Sequence, residues 1–471
     1  MISHICRAAS RWIFFATLAY APWAYGATTS ASIQITNWLL LAALVLWAVK
    51  LLLSGRTPRF PRLLFFLAVA LVCVGGWMVF NARSIYDSDF SVFVPLRNVA
   101  PALAGSVDYT ISAAWIIRGA LLLGTILFVA DLSQSNRWLL RLWYAIGLVA
   151  GSIAFLGLLQ KATGAQMIFW QPPPPEELRV STFFATYYYH GNAGAFLNLV
   201  WPLSAGLVIR AFSNRSNPGM RAVWISLFLV MIAGVLANTS RMSQVLALLL
   251  LFAIGAQFGP ALLRKLSGSK KSIALAGGLA ILLALIALAQ AVHLEQPLNR
   301  WQTESQRISG DARWRAFRVA MGAVPDARLC GFGPGTFRVV FPGYNIGSAN
   351  QAPGSWRFLH DDYMQTVLEW GSLGSSLWAL LFFGGIAIGI RSYHRHGRAW
   401  TPRRRVLQPL VITALVGVAL QALVDFPFQI ESIQLYVATY LGICWGSALW
   451  HGGGSASDRQ SSFVRTERSN A

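Results

Sequence analysis

The chain has 471 residues, of which 55% are hydrophobic and only 12% charged, with a formal net charge of +21. That composition lies outside the range of water-soluble globular domains and assigns the chain to the membrane. No folded basic domain accompanies the positive charge, which argues against nucleic acid as a partner.

Apolar runs long enough to cross a bilayer as a helix, which takes about 20 residues, recur through most of the sequence. Twelve are expected, at roughly 12–28, 36–53, 62–80, 109–130, 138–160, 190–209, 222–239, 242–258, 272–292, 371–390, 406–424 and 430–450. The fold class is therefore all-α and polytopic. The first run ends in AYGA, whose small residues also suit a signal-peptide cleavage site. Between the third and fourth runs, IYDSDFSVF carries Asp87 and Asp89 at a spacing that could hold a divalent ion against a diphosphate. A solvated loop is the commoner meaning of such a pair. Arg118 lies inside the fourth run, and the Pro172 to Pro175 stretch is a stiff linker.

With the N-terminus in the cytoplasm, and residues at run ends counted with the adjoining loop, 24 of the 38 Lys and Arg but only 3 of the 17 Asp and Glu face inward. All the excess positive charge then falls on the cytoplasmic side, as the positive-inside rule requires. The richest inward stretch, RSYHRHGRAWTPRRR, is expected to contact anionic lipid and anchor the topology, with His394 and His396 solvated. Cys6, Cys73, Cys330 and Cys444 are scattered without a CxxC pair, which indicates neither a zinc site nor a disulfide framework. GFGPG, Gly331 to Gly335, lacks the spacing and strand context of a dinucleotide loop and suits a turn. The organisation expected is an N-terminal membrane region over 1–180, a second over 181–450 with a large outer loop at 293–360, and a polar cytoplasmic tail at 451–471.

The same topology places four unusual polar features on the outer side. STFFATYYYHGNAG opens the sixth run and contains His190 and Asn192. Ser240-Arg241 stands between the seventh and eighth, where an arginine either snorkels to headgroups or offers phosphate a planar fork of donors. The segment GDARWRAFRVAMGAVPDARLCGFGPGTF, read at 100° per residue, aligns Trp314, Phe317, Met321 and Val324 in an apolar stripe flanked by Arg313 and Arg318. A plain interfacial helix would show the same stripe. Finally FLHDDYMQTVLEWG brings His360 to the start of the tenth run, on one face with Tyr363, Met364 and Val367, with Asp361 and Asp362 as helix caps. Single histidines at such seams are usually structural, but an imidazole there could also act as general base.

Taken in order, TFFATYYYHGNAGAFLNLVWPL with Asn192 and Pro202, Ser240-Arg241, RWRAFRVAM with DARLCGFGPGTF, and HDDYMQTVLEWGSLG resemble the O-antigen ligase and polymerase family. The resemblance covers roughly 180–450, and the family usually has His-Asn where this chain has His360-Asp361. It implies a GT-C-like membrane glycosyltransferase of the bacterial inner membrane, inverting and without cofactor or metal. Such an enzyme takes a glycan from undecaprenyl diphosphate to a hydroxyl of a glycan or lipid-core acceptor on the periplasmic face. On the matching positions it implies His360 as the base and Arg241 and Arg313 as diphosphate binders. Arg318, Asn192, His190 and Tyr363 join them as candidate substrate contacts. Two other readings stand beside it: a protein O-oligosaccharyltransferase of the same family, and a flippase for the lipid-linked glycan.

Overall fold

The computed structural model describes residues 2–172, 183–213, 217–265, 312–349 and 351–450, with the side chains of 261–265 excepted. The ninth expected run and the polar tail lie outside the described residues, as does most of the proline linker. Helices dominate: α1 Ile2–Trp23, α2 Ser30–Ser54, α3 Arg62–Phe80, α4 Tyr109–Leu132, α5 Asn136–Ala162, α6 His190–Ser213, α7 Pro218–Ala237, α8 Arg241–Lys265, α9 Ala312–Ala327, α10 Phe337–Asn345, α11 Asp362–His396, α12 Pro402–Gln421 and α13 Glu431–Gly446. Among the described residues, eight of these, α2 to α8 and α11, are long and apolar enough to cross a membrane. The remaining expected runs there also form helices, α1, α12 and α13. α13 has only 16 residues and is buried on nearly every face. One departure from the all-α expectation is a hairpin, β1 Ser84–Asp87 with β2 Val92–Pro95, paired antiparallel from Ser84 opposite Pro95 to Asp87 opposite Val92. Asp87 closes its turn by accepting from the backbone N–H of Asp89 at 2.9 Å. The Asp87 carboxylate is therefore part of the hairpin's own geometry.

Local signals set the helix starts. Thr29 and Ser32 form a reciprocal capping box at α2. Asp108 caps α4 through the N–H of Ile111, and Asn217 caps α7 ahead of Pro218. α6 is the axis of the bundle, buried without a break from His190 to Ser204 and packed on α5, α7, α8, α12 and α13. Asn198 in its interior is paired on both sides: it donates to the Ser243 carbonyl at 2.8 Å and accepts from Trp201 Nε1 at 3.1 Å. In lipid such pairing is obligatory, because no water can replace it.

Close helix contact, rather than hydrophobic exclusion, holds membrane helices together, and small residues permit it. α4 and α13 show this most clearly. A Cβ on Gly442 would lie 2.8 Å from the Ile126 carbonyl oxygen, and one on Gly446, four residues on, 2.9 Å from that of Ala130. The two ends of the bundle differ in chemistry. One gathers Lys50, Asp131, Arg404 and the C-terminal end of α11; Arg404 donates there to the carbonyls of Ser133 and Gln134. The opposite end carries the starts of α6 and α8, the α9–α10 segment and the α12–α13 turn.

At that opposite end α11 is broken. Gly371 has φ 62° and ψ −170°, which only glycine adopts readily. The Arg328 to Gly333 segment runs through the break, with Ser372 and Leu373 N–H donating to Arg328 and Leu329 carbonyls and Phe332 and Gly333 N–H to those of Leu368 and Glu369. Glu369 then accepts from the N–H of Gly335 at 2.9 Å and of Phe337 at 3.3 Å. The GFGPG stretch is a turn, as expected, with Gly331, Gly333 and Gly335 all at positive φ. α9 packs its small residues Ala316, Ala320, Ala323 and Ala327 inward. Of the expected apolar stripe, Trp314 and Met321 are about half exposed. Alanines allow the closer approach to α11, so they take the buried side.

Candidate active site

His360 stands one residue before the cap of α11, not within its first turn. Its φ of 61° lies in the left-handed region, uncommon for any residue but glycine. Neighbouring hydrogen bonds fix it there. Leu359 N–H donates to Gln365 Oε1 at 3.0 Å, and Asp362 N–H to the Ala422 carbonyl at 2.9 Å. Asp361 is the N-cap, accepting from Met364 N–H at 2.9 Å. Burial raises its carboxyl from the ordinary aspartate value, with the capping hydrogen bonds acting the other way. Asp362 is not a cap of its own helix. Its carboxylate accepts from Phe428 N–H at 2.7 Å and Gln429 Nε2 at 2.8 Å, tying α11 to the α12–α13 turn.

That turn supplies the residue that sequence reasoning missed. Asp425, 4% exposed, places Oδ1 3.1 Å from His360 Nδ1 and also accepts from Phe426 N–H at 3.1 Å. A carboxylate can only accept, so the neutral imidazole carries its proton on Nδ1 and presents Nε2 as an acceptor. Aromatic rings hold the imidazole edgewise: Phe426 at 4.6 Å, Trp356 at 5.8 Å and Tyr189 at 5.9 Å between centroids. The only signal in the sequence was a lone acid in the short apolar loop VDFPFQ.

Tyr189 is the hub of the cluster. It stacks on Phe426 at 5.4 Å, contacts His190 at 4.7 Å, and its hydroxyl accepts from Arg313 Nη2 at 3.0 Å. Arg313 Nη1 donates to the Val424 carbonyl at 3.3 Å, one residue before Asp425. Gly191 lets α6 close on the site, since a Cβ there would meet Asp425 Oδ2 at 2.3 Å. His360, Arg313 and His190, expected from the sequence, therefore meet around Tyr189. Asn192 is buried in the first turn of α6, and its Oδ1 has no hydrogen-bond partner among the described residues. Arg241 opens α8 at the same end, where Gln421 Nε2 bridges the Gly191 carbonyl and Ser243 Oγ. Arg318 lies over the Trp314 ring at 5.4 Å. The Tyr363 hydroxyl donates to the Ala419 carbonyl at 2.8 Å, which commits it to joining α11 and α12. Arg357, not singled out in the sequence, stands three residues before His360; desolvation and the nearby Arg338 push its guanidinium down from its ordinary value.

Beyond Asp362 and Tyr363 a cleft of about 330 Å³ opens between α4, α11 and α13. Polar groups line its upper part: Asp362, Gln429, Gln434 and Arg118, the last 3.9 Å over Trp115 and 3.9 Å from Glu431. Leu381, Phe382, Phe383, Leu123, Ile126 and Leu441 line the rest. No protein-family model matches the chain, and comparison with curated proteins finds no similar sequence.

Proposed function

We propose that this protein is an inverting, metal-independent glycosyltransferase of the bacterial inner membrane. In this reading twelve spans run from a cytoplasmic N-terminus, and the site opens to the periplasm. A glycan linked through diphosphate to undecaprenol is moved to a hydroxyl of a glycan or lipid-core acceptor, as in a polysaccharide polymerase or O-antigen ligase.

The observation that carries the reading is the His360–Asp425 pair with Arg313 anchored beside it. Asp425 holds the imidazole so that Nε2 can accept the proton of an attacking sugar hydroxyl. As the glycosidic bond breaks, charge accumulates on the departing diphosphate. A guanidinium already held by Tyr189 and Val424 stabilises that charge with little reorganisation. Arg241 at the start of α8 supports the same leaving group, and the cleft below Tyr363 has the shape and polarity gradient for the carrier's hydrocarbon chain. The acceptor oxygen bonds to the anomeric carbon as that carbon's bond to the diphosphate oxygen breaks; the electron pair leaves with undecaprenyl diphosphate, and the proton taken by His360 then passes to water, which resets the base.

Two variants test these roles. His360→Ala is expected to lower transfer by about 10²–10⁴-fold, the usual worth of a positioned base, while lipid-diphosphate binding and thermal stability stay near wild type. Arg313→Lys is expected to weaken binding of the lipid diphosphate, because an ammonium cannot reproduce the planar fork. Wild-type transfer in His360→Ala would remove the base from the scheme. The Arg118–Glu431 pair beside the cleft favours a second reading, a carrier that flips the lipid-linked glycan, because charged groups at membrane depth mark transport pathways.

A further inference from the structure

At the end of the bundle opposite His360, α1 and α5 converge on one indole. The guanidinium of Arg11 lies 4.7 Å from the Trp138 ring centroid and that of Arg141 4.5 Å from it, with Arg141 also 5.8 Å over Trp12. Trp12 and Trp138 themselves pack edge to face at 5.8 Å. Arg7 stands one helical turn from Arg11. Arg7 and Arg141 are the like charges that act on the Arg11 guanidinium, and Asp131 opposes them. Asp131 is the acid in range, and its oxygens already accept from Trp47 Nε1 and Arg59 N–H, each at 3.1 Å, with Lys50 at 3.9 Å. Among the described residues, no carboxylate lies within ion-pair distance of Arg7, Arg11 or Arg141.

Snorkelling alone would send each arginine separately to water. Here they gather between helices, and the exposed Ile2, Ile5 and Trp12 on an adjoining face of α1 mark a lipid-facing border. We propose that Arg7, Arg11 and Arg141, framed by Trp12 and Trp138, bind the headgroup phosphate of an anionic phospholipid. Guanidiniums suit phosphate oxygens, and basic pockets between membrane helices on the cytoplasmic side are known to hold such headgroups. This site differs from the RSYHRHGRAWTPRRR stretch expected to meet lipid. There Arg404 Nη2 donates to the carbonyls of Ser133 and Gln134, and Arg405 to those of Gly397 and Arg398.

The test is lipid binding by the purified full chain in detergent, read by native mass spectrometry. Phosphatidylglycerol, phosphatidylcholine and inorganic phosphate serve as probes. Removing two basic groups in Arg11→Gln/Arg141→Gln is expected to weaken phosphatidylglycerol binding by about 30-fold. Arg398→Gln/Arg403→Gln should change it less than about threefold. Wild type should prefer phosphatidylglycerol to phosphatidylcholine, and millimolar inorganic phosphate should not displace the lipid. Equal binding of the two lipids by wild type would overturn the proposal, and that arm does not depend on a variant folding. So would unchanged affinity in the double variant, or displacement by inorganic phosphate, which would mark a site for a free anion.

Discussion

His360 occupies a backbone conformation that costs a non-glycine residue roughly 1–3 kcal/mol, and its imidazole is gripped by three rings and one buried carboxylate. Strain of this kind persists where surrounding structure dictates it, and here it sets the ring against Asp425, Phe426, Trp356 and Tyr189. Asp425→Asn would keep the shape but lose the charge-assisted hydrogen bond, worth about 1.5–3 kcal/mol. Transfer should fall by roughly 10–100-fold with stability little changed, as a transfer assay beside a thermal melt would show. Asp361 is expected to behave differently. Its folded carboxyl titrates above its unfolded value, so folding disfavours the ionised form and stability drops as pH rises through the carboxylate range. Asp361→Asn keeps the cap, since asparagine caps as well as aspartate, and should abolish that share of the pH slope. Asp361→Ala should cost about 1 kcal/mol. His360 and Arg313 were legible in the sequence because polar groups at the edge of apolar runs stand out. Asp425 was not, because its role depends on the α12–α13 turn folding back across the start of α11, some sixty residues away in the chain.

Among the helices, the break in α11 decides how the α9–α10 segment is held. The sequence showed GFGPG as a turn and LEWG as part of a continuous span. What it could not show was that each completes the other, because the backbone hydrogen bonds freed at Gly371 are satisfied by Arg328 to Gly333. Gly371→Ala would place a Cβ 2.3 Å from the Leu329 carbonyl oxygen at a backbone angle alanine resists. The thermal midpoint in detergent is expected to fall by the equivalent of about 1–3 kcal/mol. Gly255→Ala in α8, where a Cβ meets nothing within 4 Å, should leave it unchanged or raise it slightly. The alanine face of α9 was not legible for a related reason: periodicity picks out the large apolar residues, but close packing on α11 selects the alanines.

On the scale of the whole molecule, hydropathy gave the membrane assignment and placed every described run on a helix, although α1 begins at Ile2 and α11 at Asp362, ten and nine residues before the expected runs. The clefts and ends had to come from packing. In the proposed reading the bundle separates its functions by depth, with His360 and Arg313 at one end, the cleft between α4, α11 and α13 beneath them, and a basic, tryptophan-framed cluster at the other. A transporter reading also accommodates a cleft, and what separates the two is bond formation. The decisive measurement is incubation of the purified protein in proteoliposomes with undecaprenyl-diphosphate-linked glycan and acceptor already on the face that His360 occupies. The account predicts a new glycosidic bond and free undecaprenyl diphosphate in chelator-treated buffer, both lost in His360→Ala. Movement of the lipid across the bilayer with no new glycosidic bond would contradict it.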